Sequence, residues 1–244
     1  MSSQLQLFES RTSAQWNVRV SRRARRLSVR VYPGGRVEVV VPPGASASIV
    51  HKFVHTHRDW IDQRVADLSS AAPKALEIRP QTIDLRAIGK IFSVDYQPSP
   101  RRSITIATLA DENKLLVSGA TQSDAAVADG LRTWLLDVAH DELGVLLTRV
   151  AHECDLQFER IQARRQRTRW GSCSASGTIS LNACALFLDP RVVRYLLVHE
   201  LCHTRHMNHS KRFWALVESH EPDYKHLDRE LVRGWQSVPG WVFG

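Results

Sequence analysis

Between Val192 and Trp214 the chain reads VVRYLLVHELCHTRHMNHSKRFW, and no other stretch limits the fold as strongly. It places His199 and His203 four residues apart, Glu200 beside the first, and His209 a little further on. Residues four apart on a helix differ by roughly 40° in azimuth and about 6 Å in height, so both imidazoles leave one face together. Two imidazoles so placed can bind one zinc ion, with Glu200 close enough to hold and deprotonate a water in the open position.

A third ligand has to come from elsewhere. His206 falls near the same helical face, but seven residues of helix rise about 10 Å, too far to share one ion with His199 through bonds of about 2.0–2.1 Å. His209 fits, provided the helix exits near Met207-Asn208, where Asn tolerates the left-handed conformation. Ser210 then caps a new helix carrying Phe213, Trp214, Leu216 and Val217. Upstream, Asp189 is the expected N-cap and Pro190 the first helical residue, and Val192, Val193, Leu196 and Leu197 mark the helix as buried.

Three blocks carry a resemblance: Arg169-Trp170-Gly171-Ser172-Cys173-Ser174, Val198-His199-Glu200-Leu201-Cys202-His203, and Asn208-His209-Ser210 with Phe213-Trp214. The ligand spacing is that of metzincins, but His206 stands where those proteins carry Gly. The sequence most closely resembles the YgjP-like metallopeptidase family, related to SprT-like zinc proteases. The basic segment Arg22–Arg30 with Pro42-Pro43 resembles the family's N-terminal half, so the likeness runs roughly from Val18 to Trp235. It implies a zinc peptidase of gluzincin-like core, with His199, His203 and His209 as ligands and Glu200 as general base.

The rest of the chain reads as an α+β protein. Residues 1–15 are polar and are expected to form a flexible tail. Residues 16–119 are expected to form a β-rich module with one helix. Its strands are Trp16–Val20, Leu27–Val31 and Val37–Val41, with a turn at Pro33-Gly34-Gly35. Ser46–Leu68 is the helix, Ser69–Pro80 a loop, and Ile83–Ile88, Ile91–Tyr96, Arg102–Ala107 and Lys114–Val117 are further strands. His51 and His55 make a conceivable second metal pair, with surface histidines the plainer alternative. Gly119-Ala120 is the expected boundary. Residues 120–244 then form a mostly helical zincin-like catalytic domain with an edge β-hairpin. It opens on a helix from Thr121–Asp124, with Leu131, Trp134, Leu135, Val138, Val145, Leu146 and Val150 packing across the catalytic helix.

The hairpin is read from Arg169-Trp170-Gly171-Ser172-Cys173, the turn Ser174–Gly177 and the strand Thr178–Asn182. Its edge is expected to pair with an extended substrate. Gly171 permits close backbone approach. Trp170 is a cleft wall or a core residue, and Cys173 and Cys202 are small core residues. Arg164, Arg165, Arg167 and Arg169 face an acidic substrate, a phosphate backbone, or only solvent. Substrate-binding candidates are Arg169, Trp170, Gly171 and Tyr224. Arg169, Tyr224, His206 and His220 are candidate oxyanion donors, and Glu218, Glu221 and Asp223 candidate partners for the ligand histidines.

Composition narrows the partners. No apolar run approaches the ~18 residues that span a bilayer, and the N-terminus has no secretory pattern. Four scattered cysteines do not suggest a disulfide framework, so the expected setting is cytoplasmic. A net charge of +8 favours acidic partners. The expected function is hydrolysis of peptide bonds in a peptide or protein with Zn2+ as cofactor and no membrane partner. The alternatives are a SprT-like protease acting on DNA-bound protein through its basic surface, and a non-catalytic module that zinc only stabilises.

Overall fold

The computed structural model describes residues 16–32, 35–69 and 77–243. The expected tail over 1–15, the Pro33-Gly34 part of the turn and residues 70–76 of the expected loop lie outside the described residues. The chain forms two compact units that divide between residues 73 and 74.

In the first unit β1 (Trp16–Val20) runs parallel to β3 (Val37–Val41), which pairs antiparallel with β2 (Ser28–Val31). The central β3 is covered on both faces, which is why Val39, Val40 and Val41 are all buried rather than alternating. The expected single helix over Ser46–Leu68 is two, α1 (Ala47–Thr56) and α2 (Arg58–Ser69). The break is at His57, whose ring Nδ1 lies 2.8 Å from the carbonyl of Phe53 and whose N–H is shared between the carbonyls of Phe53 and Val54, each at 3.2 Å. Val50, Val54, Ile61 and Val65 are buried, while Ile49 and Trp60 are exposed.

The second unit opens on a four-stranded sheet in the order β4-β5-β7-β6, with β4 (Thr82–Leu85), β5 (Lys90–Pro98), β6 (Thr105–Leu109) and β7 (Lys114–Gly119). The long helix α3 (Asp124–Glu153) follows. The expected boundary at Gly119-Ala120 is therefore not where the chain divides. Gly119 is a packed turn: its φ is +123°, and a Cβ there would stand 2.0 Å from the Ser103 carbonyl oxygen. Sheet and helix share a core across it. Phe92 meets Trp134 edge-on at 5.7 Å, and the Trp134 indole donates to Thr108 Oγ1 at 3.1 Å.

Helix α3 packs on α4 (Pro190–Cys202) as expected, and Leu131, Leu135, Leu143 and Leu147 are among its fully buried residues. Val145, expected inside, is exposed, since Leu143 and Leu147 occupy the inner face on either side of it. A three-stranded sheet in the order β8-β10-β9 comprises β8 (Arg160–Arg164), β9 (Gly171–Cys173) and β10 (Thr178–Asn182). Strands β9 and β10 make the expected hairpin, leaving β9 on the edge, while β8 joins β10 in parallel. Helices α5 (Lys211–His220) and α6 (Tyr224–Arg233) pack on α4. No helix among the described residues is long and apolar enough to cross a membrane.

Candidate metal centre

Helix α4 begins as its sequence dictates. Asp189 Oδ1 accepts the Arg191 N–H at 2.9 Å, and Pro190 fills a position whose N–H has no intrahelical partner. The helix ends at Cys202, earlier than the expected exit at Met207-Asn208. Thr204 Oγ1 donates to the Leu201 carbonyl at 2.7 Å, and the N–H groups of Arg205 and His206 both close on the Cys202 carbonyl. These bonds take up the last-turn acceptors and fold the chain back. His206 is thus off the helical face, and His209 is returned over the last turn. Ser210 Oγ then accepts the Phe213 N–H at 3.4 Å and starts α5.

The reversal gathers His199, His203 and His209, whose ligand nitrogens all lie within 4.8 Å of one another. Nε2 of His199 and Nε2 of His209 are 3.1 Å apart. Two zinc–nitrogen bonds meeting at a tetrahedral angle span about 3.3 Å, so this separation suits donors that share one ion. His203 Nδ1 donates to the His206 carbonyl at 3.0 Å, which leaves its Nε2 as a lone pair. Behind His199 stands the hydroxyl of Tyr195, 3.4 Å from Nδ1, which donates to Asp228 Oδ1 at 2.8 Å. Phe213, fully buried, stacks on His203 at 4.4 Å and lies nearly perpendicular to the other two rings.

Burial pushes the pKa of His199 down to about 3, helped by His203 and His209. Burial lowers that of His203 as well, against the bond to His206. Both rings are therefore neutral at pH 7, the state a metal ligand requires. Glu200 is 5% exposed, and burial pushes its pKa up to about 8 while Arg169 pulls it down. Its Oε2 has no hydrogen-bond partner among the described residues. An unpaired buried carboxylate oxygen costs free energy unless something else meets it, and a water beside a cation would. The donor set therefore fits zinc, for which three imidazoles and one open position are a known catalytic arrangement.

Other expected residues fall variously. Gly171 lies against Glu200, where a Cβ would be 2.5 Å from Oε1. Arg169 is exposed, and Tyr224 joins the site at one remove, stacking on Trp214, which stacks on His209. Trp170 is core rather than cleft wall: it is buried and stacks on Trp235 at 4.1 Å. Cys202 is buried and Cys173 half-buried, and neither joins the histidines. Of the expected partners for the ligand rings, Glu221 takes Arg194, Asp223 takes Arg191, and Glu218 is exposed on α5. Among the described residues, the polar groups that meet the ligand rings from outside the triad are the His206 carbonyl and the Tyr195 hydroxyl. Sequence could have pointed to Tyr195, one helical turn before His199. It gives no hint of a backbone acceptor. His51 and His55 form no cluster of three potential ligands among the described residues.

The family model described as YgjP-like, metallopeptidase domain, matches residues 25–233. The chain belongs to this family. A solved structure, the metallopeptidase zymogen of Pyrococcus abyssi abylysin, is similar at 28% identity over 34% of this chain and 86% of its own, with a TM-score of 0.32. No curated protein sequence matches. The YgjP-like match spans both units, from the arginine-rich β1–β2 turn to the end of α6.

Proposed function

We propose that this YgjP-like metallopeptidase is a zinc enzyme that hydrolyses peptide bonds, with Glu200 as general base. One observation carries the reading: three imidazoles converge beside a buried carboxylate that has an unpaired oxygen. His199, His203 and His209 would hold the ion. Zinc supplies a Lewis acid there, lowering the pKa of a bound water toward about 7 and polarising the scissile carbonyl.

The remaining work belongs to the chain. Glu200 accepts the proton of the attacking water and returns it to the leaving amine. Gly171 leaves room for that carboxylate. The edge strand β9 lies alongside and offers its free main-chain groups to an extended peptide. Arg169, whose charge pulls the pKa of Glu200 down, is our first candidate to meet substrate or the oxyanion. Tyr224 is the second candidate. A zinc site kept only for stability has no use for a desolvated carboxylate, which disfavours the non-catalytic alternative.

The test is cleavage of a diverse peptide library by the purified chain. Cleavage should stop when a chelator removes the metal and return when zinc is restored. Cleavage that survives complete chelation would remove the zinc reading.

A second reading, action on DNA-bound protein, is favoured by the turn between β1 and β2. There Arg22, Arg23, Arg25 and Arg26 are exposed and have no acidic partner among the described residues. Salt-dependent DNA binding supports it, and no binding at low salt removes it.

A further inference from the structure

We infer that Tyr195 and Asp228 are positioning residues that fix the tautomer and orientation of His199. The inference rests on the zinc-centre reading above. Tyr195 precedes His199 by four residues on α4, so its ring lies on the same face one turn earlier. It is fully buried, and its hydroxyl is 2.8 Å from Asp228 Oδ1 and 3.4 Å from His199 Nδ1.

The proton count on these atoms leaves one arrangement. A phenol has one proton to give and lone pairs to receive with, whereas an ionised carboxylate only accepts. Once the Tyr195 O–H is donated in a hydrogen bond to Asp228, the hydroxyl oxygen can serve His199 only as an acceptor. Nδ1 of His199 must then carry the imidazole proton, and Nε2 is left as a lone pair facing the other two rings. His203 reaches the same tautomer by donating Nδ1–H to the His206 carbonyl at 3.0 Å.

Two further observations give the hydroxyl a task beyond packing. A phenylalanine would fill the same buried space without bringing a polar atom that has to be satisfied. Asp228 makes no ion pair among the described residues, and Tyr195 is the partner it has there. Because Asp228 is on α6, the relay also ties that helix to the ligand face of α4.

The experiment uses the full chain with Tyr195→Phe, Asp228→Asn and the double variant. Two quantities are read: the zinc Kd by chelator competition, and the ring-nitrogen spectrum of His199 in the metal-free protein. Tyr195→Phe should weaken zinc binding by about 10- to 100-fold, as loss of a partner behind a ligand histidine does. In the metal-free variant His199 should lose its single Nδ1–H form and become a mixture of tautomers. Asp228→Asn should move both readouts the same way by less, and it carries the test alone if Tyr195→Phe does not fold. The double variant should be no worse than Tyr195→Phe, because the two act through one chain of bonds. An unchanged tautomer and Kd in the single variants, or losses that simply add in the double, overturn the relay. If the wild-type chain binds no zinc, the zinc reading fails, and the tautomer of metal-free His199 still decides the relay by itself.

Discussion

A Cβ added to Gly171 would stand 2.5 Å from Oε1 of Glu200 and 2.8 Å from its Cδ, so the edge strand is in contact with the carboxylate that the mechanism uses. The reason for glycine here is space; its φ lies outside the left-handed region. Gly171→Ala should therefore displace Glu200 while leaving the histidines in place. A misplacement on the order of 1 Å costs about a hundredfold, so kcat/KM should fall by roughly that factor with zinc content unchanged. Steady-state cleavage and metal analysis on the same preparation check it.

The raised pKa of Glu200 has a consequence for stability. The folded metal-free protein holds this proton up to about pH 8, because burial penalises the charged form, whereas the unfolded chain releases it near pH 4.3. Between these values the folded state binds more protons, so Glu200's contribution is full below about pH 4 and is lost as pH rises toward 8. His199 acts oppositely, since its folded pKa is lowered to about 3. Comparing wild type with Glu200→Gln isolates the carboxyl. Metal-free wild type should lose stability relative to the variant by an amount on the order of a few kcal/mol between pH 5 and 8, read by denaturant unfolding.

Trp170 separates packing from substrate contact. Buried and stacked on Trp235 at 4.1 Å, it belongs to the core beneath the hairpin. Trp170→Ala should cost about 3–5 kcal/mol of stability, whereas Trp170→Phe should keep most of the fold and KM within about twofold. A large rise in KM with unchanged stability in the Phe variant would return this side chain to the cleft.

Much of the centre could be read from sequence because its causes are local. The Asp189 cap, Pro190, the four-residue spacing of His199 and His203, and the Ser210 cap act within one or two turns. What escaped depends on distant pairing. Tyr195 and Asp228 are 33 residues apart, and β8 joins β10 in parallel across the span that carries Trp170 and Gly171. At Gly119 a small residue after a strand signals both a linker and a tight turn; only the approach of Ser103 distinguishes them. The early end of α4 comes from the Thr204 hydroxyl, which helical periodicity does not register.

His206 provides a control within the same loop. It meets the site through its backbone carbonyl, which accepts from His203. His206→Ala should keep zinc affinity within about twofold, whereas His203→Ala, which removes one of three donors, should lower it by at least about a hundredfold. Chelator competition on both variants checks the difference.

The most direct measurement is metal content and peptide cleavage in Glu200→Gln, side by side with wild type. The three imidazoles predict about one zinc per chain in both proteins, and loss of the base predicts a fall in kcat of about 10²- to 10⁴-fold. Wild-type cleavage rates in the variant, or a chain that binds no zinc, would contradict the account.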